Sequence, residues 1–254
     1  MKNKLLAAII ICLFTFNIGK SQMQTLNKEL PCVNKTFKVY AHVILDTLGV
    51  ANYTAAMLEQ SLMETNQVFA NICVQFELCG IDTITNYEFD VIENSEESDE
   101  ITTLYHHKNR INFYLASFLL APPVCGFASL GGVANPTNGI VFLKCPGSGT
   151  LIHELGHLFG LAHTFGGAEL VDGSNCETEA DGICDTPADP YYADPEITWE
   201  KDCEFVWEEK DSNGEFYQPD IGNYMSYYSC PCGFSRQQYL KMANTYLNSN
   251  RKMW

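Results

Sequence analysis

Between residues 153 and 163 the chain reads His153, Glu154, Leu155, Gly156, His157, Leu158, Phe159, Gly160, Leu161, Ala162, His163. Two histidines at i and i+4 share one face of an α-helix, a turn apart, so both imidazoles reach one point in space. Gly160 accepts backbone angles that other residues resist, and there the chain can leave the helix and bring His163 round to the same point. Three neutral nitrogens satisfy a zinc ion while leaving a fourth position for water, which is the catalytic pattern and not the structural one. Glu154 follows the first ligand and is expected to stand beside that water, as the base that takes its proton. The bland reading is a buried helix with hydrogen-bonded core histidines, and it would have to place three of the chain's six histidines at ligand spacing.

The first residues suggest export. Met1, Lys2, Asn3 and Lys4 precede an apolar run over residues 5–16, a basic start followed by an apolar stretch too short to span a bilayer comfortably. Residues 1–21 are read as a signal peptide cut near Gln22, and residues 22–36 as a short lead-in to the domain at 37–254. Without Lys2, Lys4 and Lys20 of the leader, 12 basic residues face 31 acidic ones, a formal charge near −19. Nucleic acid and anionic membranes would repel such a chain, whereas calcium suits it. Of the 11 cysteines, all but Cys12 lie outside the leader, an even set that reads as disulfides in an oxidising compartment.

Hydrophobic patterning divides the domain. Residues 37–45 read as a first strand, and Thr54 as the N-cap of a helix running to about residue 72. Strands follow at 74–78 and 81–92, then an acidic stretch at 93–100 read as a solvated loop before a short helix. His106 and His107 are taken as surface residues, because adjacent histidines on a helix point in different directions. Strands are expected at 110–117, 125–130 and 140–144, a helix from Thr150, and a last helix over 235–248. Between 163 and 235 the chain is rich in Gly, Asp, Pro, Cys and aromatics with few long apolar runs, so a regular α/β part precedes an irregular one.

The eleven-residue segment resembles the signature of the metzincin clan, in which a methionine turn lies beneath the metal farther along the chain. Asn223, Tyr224, Met225, Ser226 and Tyr227 supply such a turn about sixty residues downstream. Within the clan the chain resembles the pappalysin family, peptidase family M43. The likeness is carried by His163, Thr164, Phe165, by Asp181, Gly182, Ile183, Cys184, Asp185, Thr186, Pro187, and by the methionine turn with Cys230 and Phe234 after it. It extends over roughly residues 37–242, and its specific motifs all lie beyond Ile152.

The resemblance implies an α+β, metzincin-like catalytic domain. Its upper lobe, about 37–163, holds a twisted mixed β-sheet and two long helices, and its lower lobe, about 164–254, is irregular, disulfide-tied and ends in a C-terminal helix. It implies a secreted zinc endopeptidase that is a monomer and binds a protein or peptide substrate extended in the cleft, with the strand near 126–130 as the pairing edge, unless that strand is internal. A secreted binding module that keeps the zinc for structure is the alternative. Glu154 and Tyr227 are the implied catalytic residues, Tyr227 as a donor to the developing oxyanion, and Met225 the packing residue under the metal. Family members carry calcium where Asp181, Asp185 and the Thr186 carbonyl fall, although Asp and Gly are also ordinary turn residues. Cys176 and Cys203 match a family disulfide, and Cys230 one half of a second whose partner, Cys184 or another, stays open beside Cys232. Several relatives are held latent by a prodomain cysteine, and Cys32 is a candidate for that role or for a disulfide.

Overall fold

The computed structural model describes residues 29–120, 124–194 and 196–253. The signal peptide and residues 22–28 of the lead-in expected from the sequence fall outside the described residues. Strand β1 (Lys35–Ile44) is followed by helix α1 (Ala55–Phe69), strand β2 (Val74–Ile84), the short β3 (Val91–Ile92), helix α2 (Ser95–Tyr105), β4 (Ile111–Leu115), β5 (Phe118–Leu119), β6 (Gly126–Ala128), β7 (Ile140–Leu143) and helix α3 (Ser148–Leu158). After a long irregular segment come the hairpin β8 (Glu200–Lys201) and β9 (Glu204–Phe205), and finally helix α4 (Arg236–Leu247).

Five strands form one mixed sheet in the order β2-β1-β4-β7-β6, parallel except for β6, which runs antiparallel to β7 at the edge. Alternation sorts the strand residues between two cores. Phe37, Val39, Ala41 and Val43 of β1, with Ile111, Phe113 and Leu115 of β4, pack on the side of α1, α3 and α4. Ile44, Tyr114 and Phe142 face the opposite way, onto Phe89, Ile92, Ile101 and Leu119. Both faces are covered, which explains the near-continuous apolar runs of the central strands. Among the polar exceptions, His42, fully buried, bonds Asp82 at 2.8 Å and Asn112 at 3.1 Å.

Helix boundaries follow local chemistry. Thr54 Oγ1 accepts from Met57 N, and α1 buries Leu58, Leu62 and Phe69 before a 3-10 turn at Ala70–Ile72. Ser235 and Gln238 form a reciprocal capping box that starts α4.

Three sequence expectations are corrected. Strand β2 does not stop near Leu78: it bulges opposite Val39 and Tyr40 and continues to Ile84, because Gly80 leaves room for the Tyr40 ring. The acidic stretch is itself helical, with Asn94 capping α2 and Glu96 and Glu97 at its positive end. His106 is half-buried beyond that helix, whereas His107 is exposed as expected, its ring stacked on Tyr40 at 3.9 Å.

Candidate active site

Helix α3 carries His153, Glu154 and His157 at the floor of the sheet, and it ends where Gly160 takes φ +91. There the chain turns back, with Leu161 N bonded to Gly156 O at 3.0 Å, and His163 returns to its partners. The three imidazoles converge: Nε2 of His163 lies 3.2 Å from that of His153 and 3.0 Å from that of His157. Three nitrogens bound tetrahedrally to one zinc at 2.0–2.1 Å would lie roughly 3.3 Å apart.

Hydrogen bonds fix which nitrogens face inward. His153 donates Nδ1–H to the Tyr224 carbonyl at 2.6 Å, and His157 donates Nδ1–H to the Leu161 carbonyl at 2.8 Å. Both Nε2 atoms therefore carry lone pairs, and both face the His163 Nε2. One imidazole N–H satisfies two such acceptors poorly, whereas a shared cation suits all three, so the donor set fits zinc. Burial holds His153 down to about 3, with the charge of His157 adding to it, and His163 down to about 4, so these rings are neutral at neutral pH.

Met225, fully buried, packs its sulfur where a side chain on Gly156 would sit, which explains a glycine between the two helical histidines. Asn223 Oδ1 accepts from Met225 N at 2.9 Å, and Thr164 N donates to the Met225 carbonyl at 3.2 Å. Buried Asp189 ties the third histidine's neighbour to the turn, accepting from Thr164 Oγ1 at 2.8 Å, Ser226 Oγ at 2.7 Å and Tyr228 Oη at 2.9 Å. Sequence reasoning missed Asp189, Tyr224 and Leu161. The last two act through backbone carbonyls, which leave no side-chain signal.

Glu154 is 4% exposed and its Oε2 has no hydrogen-bond partner. Burial pushes its carboxyl up to about 8, and a divalent cation beside it works in the opposite direction. Tyr227 is half exposed, its ring 4.8 Å from that of His163 and 5.4 Å from that of His153. Burial and the nearby Glu154 raise its hydroxyl pKa, so it is a proton donor at neutral pH. A cleft lined by Gly126, Thr150, His153, Glu154, Tyr224 and Tyr227 opens over these groups, with a volume of about 490 Å³.

The other expected site residues are used differently. Asp181 is buried and accepts from Ile183 N at 2.9 Å and Thr186 Oγ1 at 3.1 Å. Asp185 caps α4, accepting from Ser235 Oγ at 2.5 Å and Gln237 N at 2.8 Å. Among the described residues, the His153, His157 and His163 group alone gathers three or more His, Cys, Asp or Glu side chains at metal-ligand spacing.

The expected Cys176–Cys203 disulfide is corrected: Cys176 pairs with Cys184, and Cys203 with Cys230. Left-handed backbone at Ala180 and Gly182 folds the segment between Cys176 and Cys184 into a tight turn, bringing their Cα atoms to 5.1 Å. Cys203 leaves the β8–β9 turn toward the segment after the methionine turn instead. Cys32 pairs with Cys73 and Cys125 with Cys145, so Cys32 is not a free thiol for the metal. Cys79 and Cys232 are free among the described residues.

Known proteins share this fold. Residues 137–247 match the model of peptidase family M43, described as pregnancy-associated plasma protein-A, and residues 55–164 match that of metallo-peptidase family M12B, reprolysin-like. No curated protein matches the chain. Mature mirolysin of Tannerella forsythia, solved in complex with a cleaved peptide, superposes with a TM-score of 0.56 at 18% identity, over 84% of this chain and 91% of that one. Mirolysin in complex with compound 9 gives a TM-score of 0.60 at 17% identity, over 88% and 95%. Fold and histidine triad thus define a metzincin zinc metalloendopeptidase. Within that class, residues 137–247 are similar to the pappalysin family, peptidase family M43.

Proposed function

We propose that the protein is a secreted endopeptidase of which residues 37–254 form the catalytic domain, in which His153, His157 and His163 hold the zinc and Glu154 is the general base. The observation that carries this reading is the buried Glu154 Oε2, which has no partner in the fold yet sits in the cleft beside His153. A buried carboxylate oxygen without a hydrogen bond is costly, and a water awaiting deprotonation is a suitable partner. Zinc, when bound, polarises the scissile carbonyl and acidifies the attacking water. Glu154 takes that water's proton and hands it to the leaving amine, while the Tyr227 hydroxyl donates to the tetrahedral oxyanion.

The open edge of β6 supports an extended peptide substrate bound by main-chain hydrogen bonds, as strand addition provides. Four disulfides, and the absence among the described residues of a helix long and apolar enough to cross a membrane, are in keeping with export after leader removal. The reading takes the enzyme as a monomer. A calcium ion at Asp181, Asp185 and the Thr186 carbonyl belongs to the same proposal. It is supported by the crowding of Glu169, Asp181 and Asp189, buried carboxylates with little positive charge to offset them.

The test is cleavage of gelatin by the mature chain, with and without a zinc chelator, beside Glu154→Gln. Chelator-sensitive cleavage lost in a variant that still binds one zinc is expected. Retained cleavage in Glu154→Gln would remove the assigned base, and zinc binding without cleavage by the natural chain would favour a binding module.

A further inference from the structure

We propose that Gly126 and the Cys125–Cys145 disulfide are positioning elements for Glu154, which makes the stapled edge strand a determinant of turnover as well as a surface for substrate. The inference rests on the reading of Glu154 as the base.

No hydrogen bond holds Glu154 Oε2, so the carboxylate is oriented by what it packs against. That wall is the backbone of Gly126: a Cβ there would lie 2.9 Å from Glu154 Cγ, 2.9 Å from Glu154 Oε1 and 2.9 Å from the Phe142 carbonyl. The first two contacts belong to the catalytic side chain and the third to unyielding backbone, so an added methyl has only the carboxylate to displace. Strand β6 comes this close without a side chain, and its path sets where Glu154 stands.

The strand itself is weakly anchored. It has three residues, pairs with β7 alone, and forms the sheet's outer edge. Its register comes from the preceding residue. The Cys125 carbonyl accepts from Lys144 N at 2.9 Å and Cys145 N at 3.2 Å, and the disulfide closes the same corner. Cys145 lies between the end of β7 and Gly147, the N-cap of α3, so the bond ties the strand over Glu154 to the entry of the helix that carries Glu154. Cys125 and Gly126 both line the cleft with Glu154.

The test uses the zinc-loaded mature chain and a fluorogenic peptide built on a cleavage site mapped in gelatin. Gly126→Ala is expected to lower kcat at least tenfold, with KM and zinc content within twofold of the natural chain. In a Glu154→Asp background, whose shorter side chain leaves space for the methyl, the same substitution should cost less than threefold. Cys125→Ser with Cys145→Ser should lower kcat several-fold while zinc stays bound and unfolding stays cooperative. A kcat within twofold of natural for Gly126→Ala, or equal losses in both backgrounds, would overturn the inference. If Gly126→Ala does not fold, the paired cysteine variant decides: unchanged kcat at a temperature well below its melting point overturns it, and a kcat-specific loss upholds it. Should the natural chain fail to cleave, or Glu154→Gln cleave, the reading of Glu154 falls first, and that outcome is distinct from active controls with an indifferent Gly126→Ala.

Discussion

Asn223 and Gln238 exchange two amide hydrogen bonds, Asn223 Nδ2 to Gln238 Oε1 at 2.9 Å and Gln238 Nε2 to Asn223 Oδ1 at 3.1 Å, both side chains being buried. The pair fastens the methionine turn to the first turn of α4, and the adjacent Tyr224 carbonyl orients His153. Asn223→Ala is expected to weaken zinc binding about ten- to a hundredfold, the usual loss when support behind a metal ligand is removed. Competition with a chromogenic chelator measures this, and an affinity unchanged from the natural chain would show that the turn holds its place without the clamp.

Gly156 offers a prediction in which two effects differ in sign. Replacing a mid-helix glycine by alanine ordinarily stabilises by about 1 kcal/mol. Here the added methyl meets the Met225 sulfur, so Gly156→Ala is expected to destabilise by about 1–3 kcal/mol. Denaturant unfolding decides the sign, and the loss should shrink when Met225→Leu shortens the opposing side chain.

Stability should also depend on pH through Glu169. Its carboxyl is pushed up to about 7 by burial first, then by Asp181, Asp189 and Glu179. An unfolded glutamate titrates near 4.3. Between about 4.3 and 7 the folded chain therefore holds a proton that the unfolded chain has lost, so this contribution to stability is full below that window and gone above it. Glu169→Gln removes the dependence. In zinc-free, calcium-free protein the variant should melt with the natural chain near pH 4.5 and several degrees above it at pH 8. Millimolar calcium should narrow the gap at pH 8 if the ion neutralises this cluster; a gap indifferent to calcium would argue against the calcium proposal.

What was legible in the sequence was what local chemistry writes into neighbouring residues. The i, i+4 spacing of His153 and His157, the exit at Gly160, the Thr54 cap and the Ser235 helix start all depend on a few adjacent positions, and all recur in the fold. Features set by distant partners were not legible. Cysteine spacing does not determine pairing, and the Cys176–Cys184 bridge depends on a turn through Ala180 with positive φ, which its residue type does not announce. The bulge that lets β2 continue exists because Tyr40 lies across from Gly80, and no window along the chain contains both. Asp189 looks like one acidic turn residue among many until Thr164, Ser226 and Tyr228 are seen to converge on it.

The carbonyl that orients His153 belongs to a residue 71 positions later in the chain. Translation at about 5–20 residues per second puts roughly 4–14 s between the appearance of the first ligand and that of its acceptor. His153 is thus synthesised well before the residue that aims it, and a nascent chain carries it without that acceptor until Tyr224 has been added and the turn has docked. Order of synthesis therefore sets when the triad can be complete: the hydrogen bond that fixes the His153 ring forms only after most of the chain exists.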